Sequence, residues 1–312
     1  MTGFTAPRSH LAERAVAAMG PLRGEDRLAP DTLATQALAP DPPPLREARR
    51  PNTESFASVP VAAAAPPPAI DMEALRAAGL AFDPAAEVRS RLAEELTLIQ
   101  HQVLRAMPAA DAARNRATEA RNACRQMVLV TSARPAEGKS FIALNIAASL
   151  AAGTGHPVVL VDVDGSDGAL TGRMGVGEAP GLRALARDPG QSVSLLLRST
   201  AITGLTVLPH GARQAGEGAP SGAALAGALR ALALALPRHV VVLDAPAALA
   251  SADAPTLAAT VGQVMLVVRA EITQRDAVEA ALDVLEACPV LQLVLNESRM
   301  SSADSFGEAA DA

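Results

Sequence analysis

Tyrosine and tryptophan are absent from this 312-residue chain, phenylalanine occurs five times and cysteine twice. Without large aromatics the core must be built from Leu, Val, Ile and Ala. Cys124 and Cys288 lack metal-ligand spacing and are too few for a disulfide framework, which points to a reducing compartment. No apolar run reaches about 18 residues, so nothing here spans a bilayer alone, and the N-terminus lacks the apolar stretch of a signal peptide. The chain is expected to be cytoplasmic. Basic residues number 27 against 33 acidic ones, a net of −6, which argues against nucleic acid as a partner.

The scarcest charged residue is lysine. Arginine accounts for 26 of the 27 basic residues, and the single lysine is Lys139. Arg and Lys exchange freely on a solvated surface but not at a phosphate site needing a compact ammonium.

Of 24 prolines, 13 precede residue 85, including Pro42–Pro44 and Pro66–Pro68. Residues 1–85 are therefore read as a disordered Pro/Ala-rich segment, with a short helix around Ser9–Met19. Residues 86–125 read as a helical lead-in, where Leu92, Leu96, Ile99, Val103 and Met107 form one stripe. That stripe packs either on the following domain or on a partner helix, and the former is expected. Residues 301–312 read as a disordered tail.

Residues 126–300 alternate short apolar runs with helical stretches. Met127–Thr131, Val158–Val163, Leu205–Leu208, Val240–Leu243, Val264–Val268 and Leu291–Leu295 read as buried strands. Helices are expected near Ser140–Ala151, Gly181–Leu197, Ser221–Leu236, Ala254–Val261 and Gln274–Ala287. The expected fold is α/β: a mainly parallel sheet covered by helices on both faces, with its ligand site at the carboxyl ends of the strands.

The first strand runs into Thr131-Ser132-Ala133-Arg134-Pro135-Ala136-Glu137-Gly138-Lys139-Ser140, followed by a helix. This nearly matches G-x-x-x-x-G-K-[ST], with Ala133 in the first glycine position. Backbone N–H groups and the helix N-terminus favour phosphate oxygens there, Gly138 allows close approach, Lys139 reaches the β and γ phosphates, and Ser140 offers a hydroxyl to Mg²⁺. Asp162 and Asp164 lie on one side of the second strand's end. Either can orient an attacking hydroxyl or water. Asp244 follows four apolar residues, the pattern of an aspartate acting on Mg²⁺ or its water. Asn296, ending the last strand, reads either as a ligand for a nucleotide base or as a strand cap.

Together these residues resemble the bacterial tyrosine kinases of the P-loop class, which regulate exopolysaccharide and capsule synthesis and are related to chromosome-partitioning and septum-site ATPases. The closest resemblance is to the branch associated with exosortase-linked polysaccharide loci. It spans about Glu94 to Asn296, through Val130–Pro135, Glu137–Ser140, Asn145, Val158–Asp164, Pro180–Leu182, Val207–Gly211, Asp244–Pro246, Val261–Val264 and Leu295–Asn296. The resemblance implies ATP or ADP with Mg²⁺ as cofactors, Ala133, Arg134, Pro135, Ala136, Glu137, Gly138, Lys139, Ser140, Phe141 and Asn296 as nucleotide-binding residues, and Lys139, Asp162, Asp164 and Asp244 as catalytic. It also implies Ser140, Asp162 and Asp244 as metal ligands, a polysaccharide co-polymerase membrane protein as partner, homo-oligomer formation, and membrane association only through that partner.

Four departures stand out. Ala136 replaces a glycine of the family loop, and alanine costs about 1 kcal/mol there if the position needs positive φ. Asp167 and Gly168 stand where a basic residue and a proline usually follow the second aspartate. The helical oligomerisation motif is eroded in Glu94–Gln102. The C-terminal tyrosine cluster is missing, since Met300–Ala312 holds serines and Phe306 only. Three functions follow as alternatives: an ATPase or kinase-like phosphotransferase acting in trans, a catalytically degenerate nucleotide-dependent switch or scaffold, and a partitioning-type positioning ATPase. The last needs a basic DNA-binding face or a C-terminal membrane helix, and the acidic tail and net charge oppose both.

Overall fold

The computed structural model describes residues 69–84, 86, 90–107, 124–166, 168–213 and 216–298. Seven strands form one sheet: β1 (Met127–Ser132), β2 (Val158–Asp162), β3 (Arg198–Ser199), β4 (Leu205–Leu208), β5 (Val240–Asp244), β6 (Gln263–Arg269) and β7 (Leu291–Asn296). Their spatial order is β3-β4-β2-β5-β1-β6-β7. Every neighbouring pair is parallel except β3–β4, a two-residue antiparallel edge that apolar patterning did not reveal. The expected α/β sheet, covered on both faces, is what forms.

Alternation along the strands divides the core into two layers. Val128, Val130, Leu160 and Val242 face one layer, roofed by α1 (Met72–Ala78), α2 (Arg91–Ala106) and α3 (Lys139–Thr154). Met127, Leu129, Val161 and Leu243 face the other, roofed by α5 (Leu182–Arg187), α6 (Gly222–Ala235), α7 (Ala254–Ala258) and α8 (Arg275–Leu285); the short α4 (Leu170–Arg173) follows the β2 loop. Helix α3 is buried at every position from Ile142 to Ala151. It has no solvent side, because the sheet lies under it and α2 lies over it. Ala143, Ala147, Ala148 and Ala151 keep both contacts close, while Leu144, Ile146 and Leu150 each contribute about 1.5–3 kcal/mol of burial.

The stripe on α2 packs on its own domain. Leu96 and Val103 are buried, Leu92, Ile99 and Met107 lie against the same core, and Gln100 accepts a hydrogen bond from Ser149 Oγ on α3 at 2.9 Å. Gln263 Nε2 donates to the Val103 carbonyl at 3.0 Å, tying α2 to β6. Leu98, within the eroded motif, points to solvent.

Three expectations need correction. Residues 69–84, assigned to the disordered segment, fold onto the domain. Asp71 caps α1 by accepting from Ala74 N–H, and Gly79 ends it in the left-handed region. Ile70 bridges Thr200, and Asn145 on α3 clamps this segment, donating to the Gly79 carbonyl and accepting from Ala81 N–H. Second, Gly181–Leu197 is not one helix. Helix α5 stops at Arg187, Asp188-Pro189-Gly190 breaks the chain, and a single 3-10 turn follows at Val193–Leu195. Third, β7 is an edge strand rather than a buried one: Leu293 and Leu295 are each 58% exposed. The readings of residues 1–68, 108–123, Asp167 and the tail from 299 onwards lie outside the described residues.

Candidate functional site

β1, β2 and β5 are adjacent and parallel, so their carboxyl ends deliver the loop of 133–138, Asp162, Asp164 and Asp244 to one place. Asp162 and Asp244 are direct register partners. Gly138, at φ 92, turns the loop into α3, and a Cβ there would overlap the Asn296 amide. Ala136 stands at φ 65, so the condition for strain at this alanine is met.

The loop is braced from within. Ser132 Oγ donates to the Arg134 carbonyl at 2.7 Å. The buried Glu137 carboxylate accepts from Arg134 N–H at 3.0 Å and from Thr273 Oγ1 at 2.6 Å. Asn296 Nδ2 donates to the Glu137 carbonyl at 3.1 Å. Glu137 and Asn296 therefore spend these groups on the shape of the loop. That is a third role for Asn296, beside the two read from the sequence. Thr273 is a supporting residue that no local motif announces, since it lies 136 residues from its partner. Thr131 Oγ1 donates to the Pro246 carbonyl at 2.6 Å, fixing the loop to the end of β5.

Arg134, Pro135 and Ala136 are exposed at the loop's crest, and Ala133 is buried beneath it. Phe141 points away into the α1 side, where it packs against the core below Gly79. Lys139 Nζ meets Asp164 Oδ2 at 2.5 Å and lies 3.4 Å from Ser140 Oγ.

The two aspartates after β2 differ sharply. Asp162 is fully buried, and its carboxylate accepts from Asp164 N–H, Gly165 N–H, Thr171 N–H and Thr171 Oγ1 at 2.6–3.4 Å. Its acceptor capacity holds the loop. Asp164, in contrast, faces the lysine.

Asp244 is 0% exposed, and among the described residues neither carboxylate oxygen has a hydrogen-bond partner. Burial drives its carboxyl up from 3.8 to about 7; Lys139 and the Ser140 hydroxyl only partly offset this. An orphaned carboxylate beside a hydroxyl suits a hard divalent cation that keeps several waters. Among the described residues no cluster of three or more His, Cys, Asp or Glu holds a metal by itself. The residues present thus fit a Mg²⁺ ion, which Asp244 and Ser140 would hold.

A cleft of about 640 Å³ opens beside this loop, over the ends of β2, β4 and β5, and shares Asp164 with it. Among the described residues no helix is long and apolar enough to cross a membrane.

No family model and no curated protein matches the chain. Solved structures do. The kinase domain of Escherichia coli tyrosine kinase ETK is 21% identical, with 70% of this chain covering 81% of that one at a TM-score of 0.54. The kinase domain of VpsO is 26% identical, with 65% covering 98% at a TM-score of 0.46. The MinD cell division protein of Aquifex aeolicus is 19% identical, with 57% covering 75% at a TM-score of 0.43. The likeness to ETK is one of fold: an α/β unit on a mostly parallel sheet.

Proposed function

We propose that this chain binds ATP and Mg²⁺ at the loop of 133–140 and acts as a P-loop ATPase or kinase-like phosphotransferase. The observation that carries this reading is the fully buried, unpartnered Asp244 carboxylate beside Lys139 and Ser140. A folded chain without a cation at that point leaves a costly group unsatisfied.

Lys139 and the loop amides hold the phosphate oxygens, and Ser140 and Asp244 hold the cation. The cation, when bound, neutralises phosphate charge and orients the reacting oxygens. Asp164 is the group that accepts the proton of an attacking hydroxyl or water, because its carboxylate faces Lys139 while that of Asp162 is spent on Asp164 N–H and Thr171. Asp162 is thereby a positioning residue. Glu137, Thr273 and Asn296 keep the loop in register. Ala136, Gly138 and Phe141 offer backbone N–H groups to the nucleotide; Arg134 N–H is engaged by Glu137 and Pro135 has none, so those two residues shape the loop.

The chain has no phenol, so any transfer to tyrosine runs in trans to another molecule. The resemblance to polysaccharide-associated tyrosine kinases supports a role in exopolysaccharide or capsule synthesis or export, a membrane co-polymerase as partner, homo-oligomer formation, and a cytoplasmic site at the membrane's inner face. Loss of turnover with retained fold is the second reading, and strained Ala136 favours it.

The test is release or transfer of the labelled γ-phosphate of ATP by the full chain with Mg²⁺, with and without the cytoplasmic segment of a co-polymerase. The reading expects turnover that Lys139→Ala abolishes. Turnover unchanged in that variant refutes it, and no turnover in any arm leaves the switch as the function.

A further inference from the structure

The cleft at the ends of β2, β4 and β5 contributes only Asp164 to the nucleotide reading, yet it is built from charged and backbone groups. Glycines with positive φ, Gly165 at 58°, Gly168 at 82° and Gly211 at 97°, line it with main chain rather than side chains. Arg183, only 3% exposed, forms one wall. That wall is fixed, because Leu182 N–H and Arg183 N–H donate to the Pro209 and His210 carbonyls at 2.8 and 2.9 Å.

Among the described residues five buried side-chain nitrogen or oxygen atoms lack a hydrogen-bond partner. Two belong to Asp244, which the cation explains. Two others, Arg183 Nε and His210 Nδ1, belong to residues of this one cleft. An arginine Nε–H is always a donor, and buried donors are rarely left without an acceptor. Arg183 Nη2 is already occupied by the Gly218 carbonyl at 2.8 Å and the Glu217 carboxylate at 3.0 Å, so Nε is the group still to be satisfied. Burial holds the His210 imidazole below its ordinary value, with Asp162 opposing and Arg183 reinforcing that effect. Arg213 stands exposed in the cleft lining with no ion-pair partner among the described residues.

We infer that this cleft binds a small ligand bearing an oxyanion, a phosphate monoester or a carboxylate, between Arg183, His210 and Arg213. Three acidic residues also line it. Asp164 is paired with Lys139 and Arg183 with Glu217, so the site offers the Arg183 Nε–H and the Arg213 charge, and Glu178 and Asp253 oppose a highly charged anion. Backbone-lined glycine walls and the lack of phenylalanine among the lining residues suit a compact polar ligand rather than a phenol or a stacked base. The inference is separate from turnover at the loop, because its donors belong to other elements.

Calorimetric titration of O-phospho-L-serine, inorganic phosphate and succinate into the full chain tests it. The nucleotide loop also attracts phosphate, and Lys139→Ala alone would leave Asp164 unneutralised in the cleft, so each titration is repeated in the double variant Lys139→Ala/Asp164→Asn. The expected result is binding of at least one of the three that survives the double variant within about threefold and weakens about tenfold or more in Arg213→Ala. Arg213 is exposed, so this variant keeps the fold, and Arg183→Lys provides a second arm that retains the charge but removes Nε–H. Preference among the three distinguishes a phosphorylated small molecule from free phosphate or a simple acid. No binding of any, binding lost in Lys139→Ala/Asp164→Asn, or binding unchanged in both arginine variants overturns the inference.

Discussion

Ala136→Gly should stabilise this protein, which is the reverse of what alanine-to-glycine changes usually do. Ala136 sits at φ 65 on the exposed crest of the loop, so its methyl buries nothing and clashes locally. A left-handed non-glycine residue costs about 1–2 kcal/mol. Glycine removes that strain but gives back about 0.4–1 kcal/mol through a freer unfolded chain. The net expected gain is about 0.5–1 kcal/mol, a rise in Tm of roughly 1–4 °C for a domain of this size. The chain has no tryptophan or tyrosine, so the transition must be followed by far-ultraviolet circular dichroism rather than intrinsic fluorescence. Ala136→Val provides the opposite arm and should lose stability, since a β-branched residue tolerates positive φ worst. An Ala136→Gly protein that melts at or below the wild type would refute the reasoning and place the loop in a different backbone conformation.

The two aspartates after β2 should separate cleanly. Asp162→Ala removes the acceptor for four donors at a fully buried position and should cost about 3 kcal/mol or more in urea unfolding. Asp164→Ala leaves the Lys139 ammonium, whose side chain is only 13% exposed, without its ion-pair partner and should cost about 1–3 kcal/mol in the same experiment while lowering turnover about 100-fold or more. Thr273→Val breaks the 2.6 Å bond to Glu137, and faster amide exchange across 133–138 should report a loosened loop, with about 1.5–3 kcal/mol lost. Asp244 supplies a pH dependence. Its folded pKa lies above 3.8, at about 7, so its stabilising proton is fully present below pH 3.8 and is lost as pH rises to about 7. In EDTA the stability of Asp244→Asn relative to wild type should therefore grow by a few kcal/mol over that window and level off above it. A flat difference would mean the carboxyl is not desolvated.

Much of the sheet was legible because buried parallel strands are continuous apolar runs, and each run here ends in turn chemistry or a helix. The loop of 133–140 is legible because its residue types serve one backbone shape, and an alanine where that shape calls for glycine marks the strained φ at position 136. The misses have physical causes. Leu291-Gln292-Leu293-Val294-Leu295 is apolar enough for a core strand, and only its place at the end of the sheet leaves the leucines uncovered. Asp71 and Gly79 carry cap signals for α1, but the proline-rich composition before them outweighed two residues. Asp162 and Asp164 are equivalent by spacing. Thr171, nine residues on, decides between them by engaging one carboxylate, and no pattern in the strand foretells that. The bracing of Glu137 by Thr273 and Asn296 joins residues 136 and 159 positions apart, a distance over which a single sequence carries no signal.

The central claim is that the loop, Lys139 and Asp244 form a nucleotide–magnesium site. Calorimetric titration of ADP into the full chain, with Mg²⁺ and with EDTA, tests it without depending on catalysis. The account predicts one site per chain, tighter with Mg²⁺, lost in Lys139→Ala, and insensitive to Mg²⁺ in Asp244→Asn. Binding of ADP that is equally strong in Lys139→Ala, or no binding by the wild type in either buffer, would contradict it.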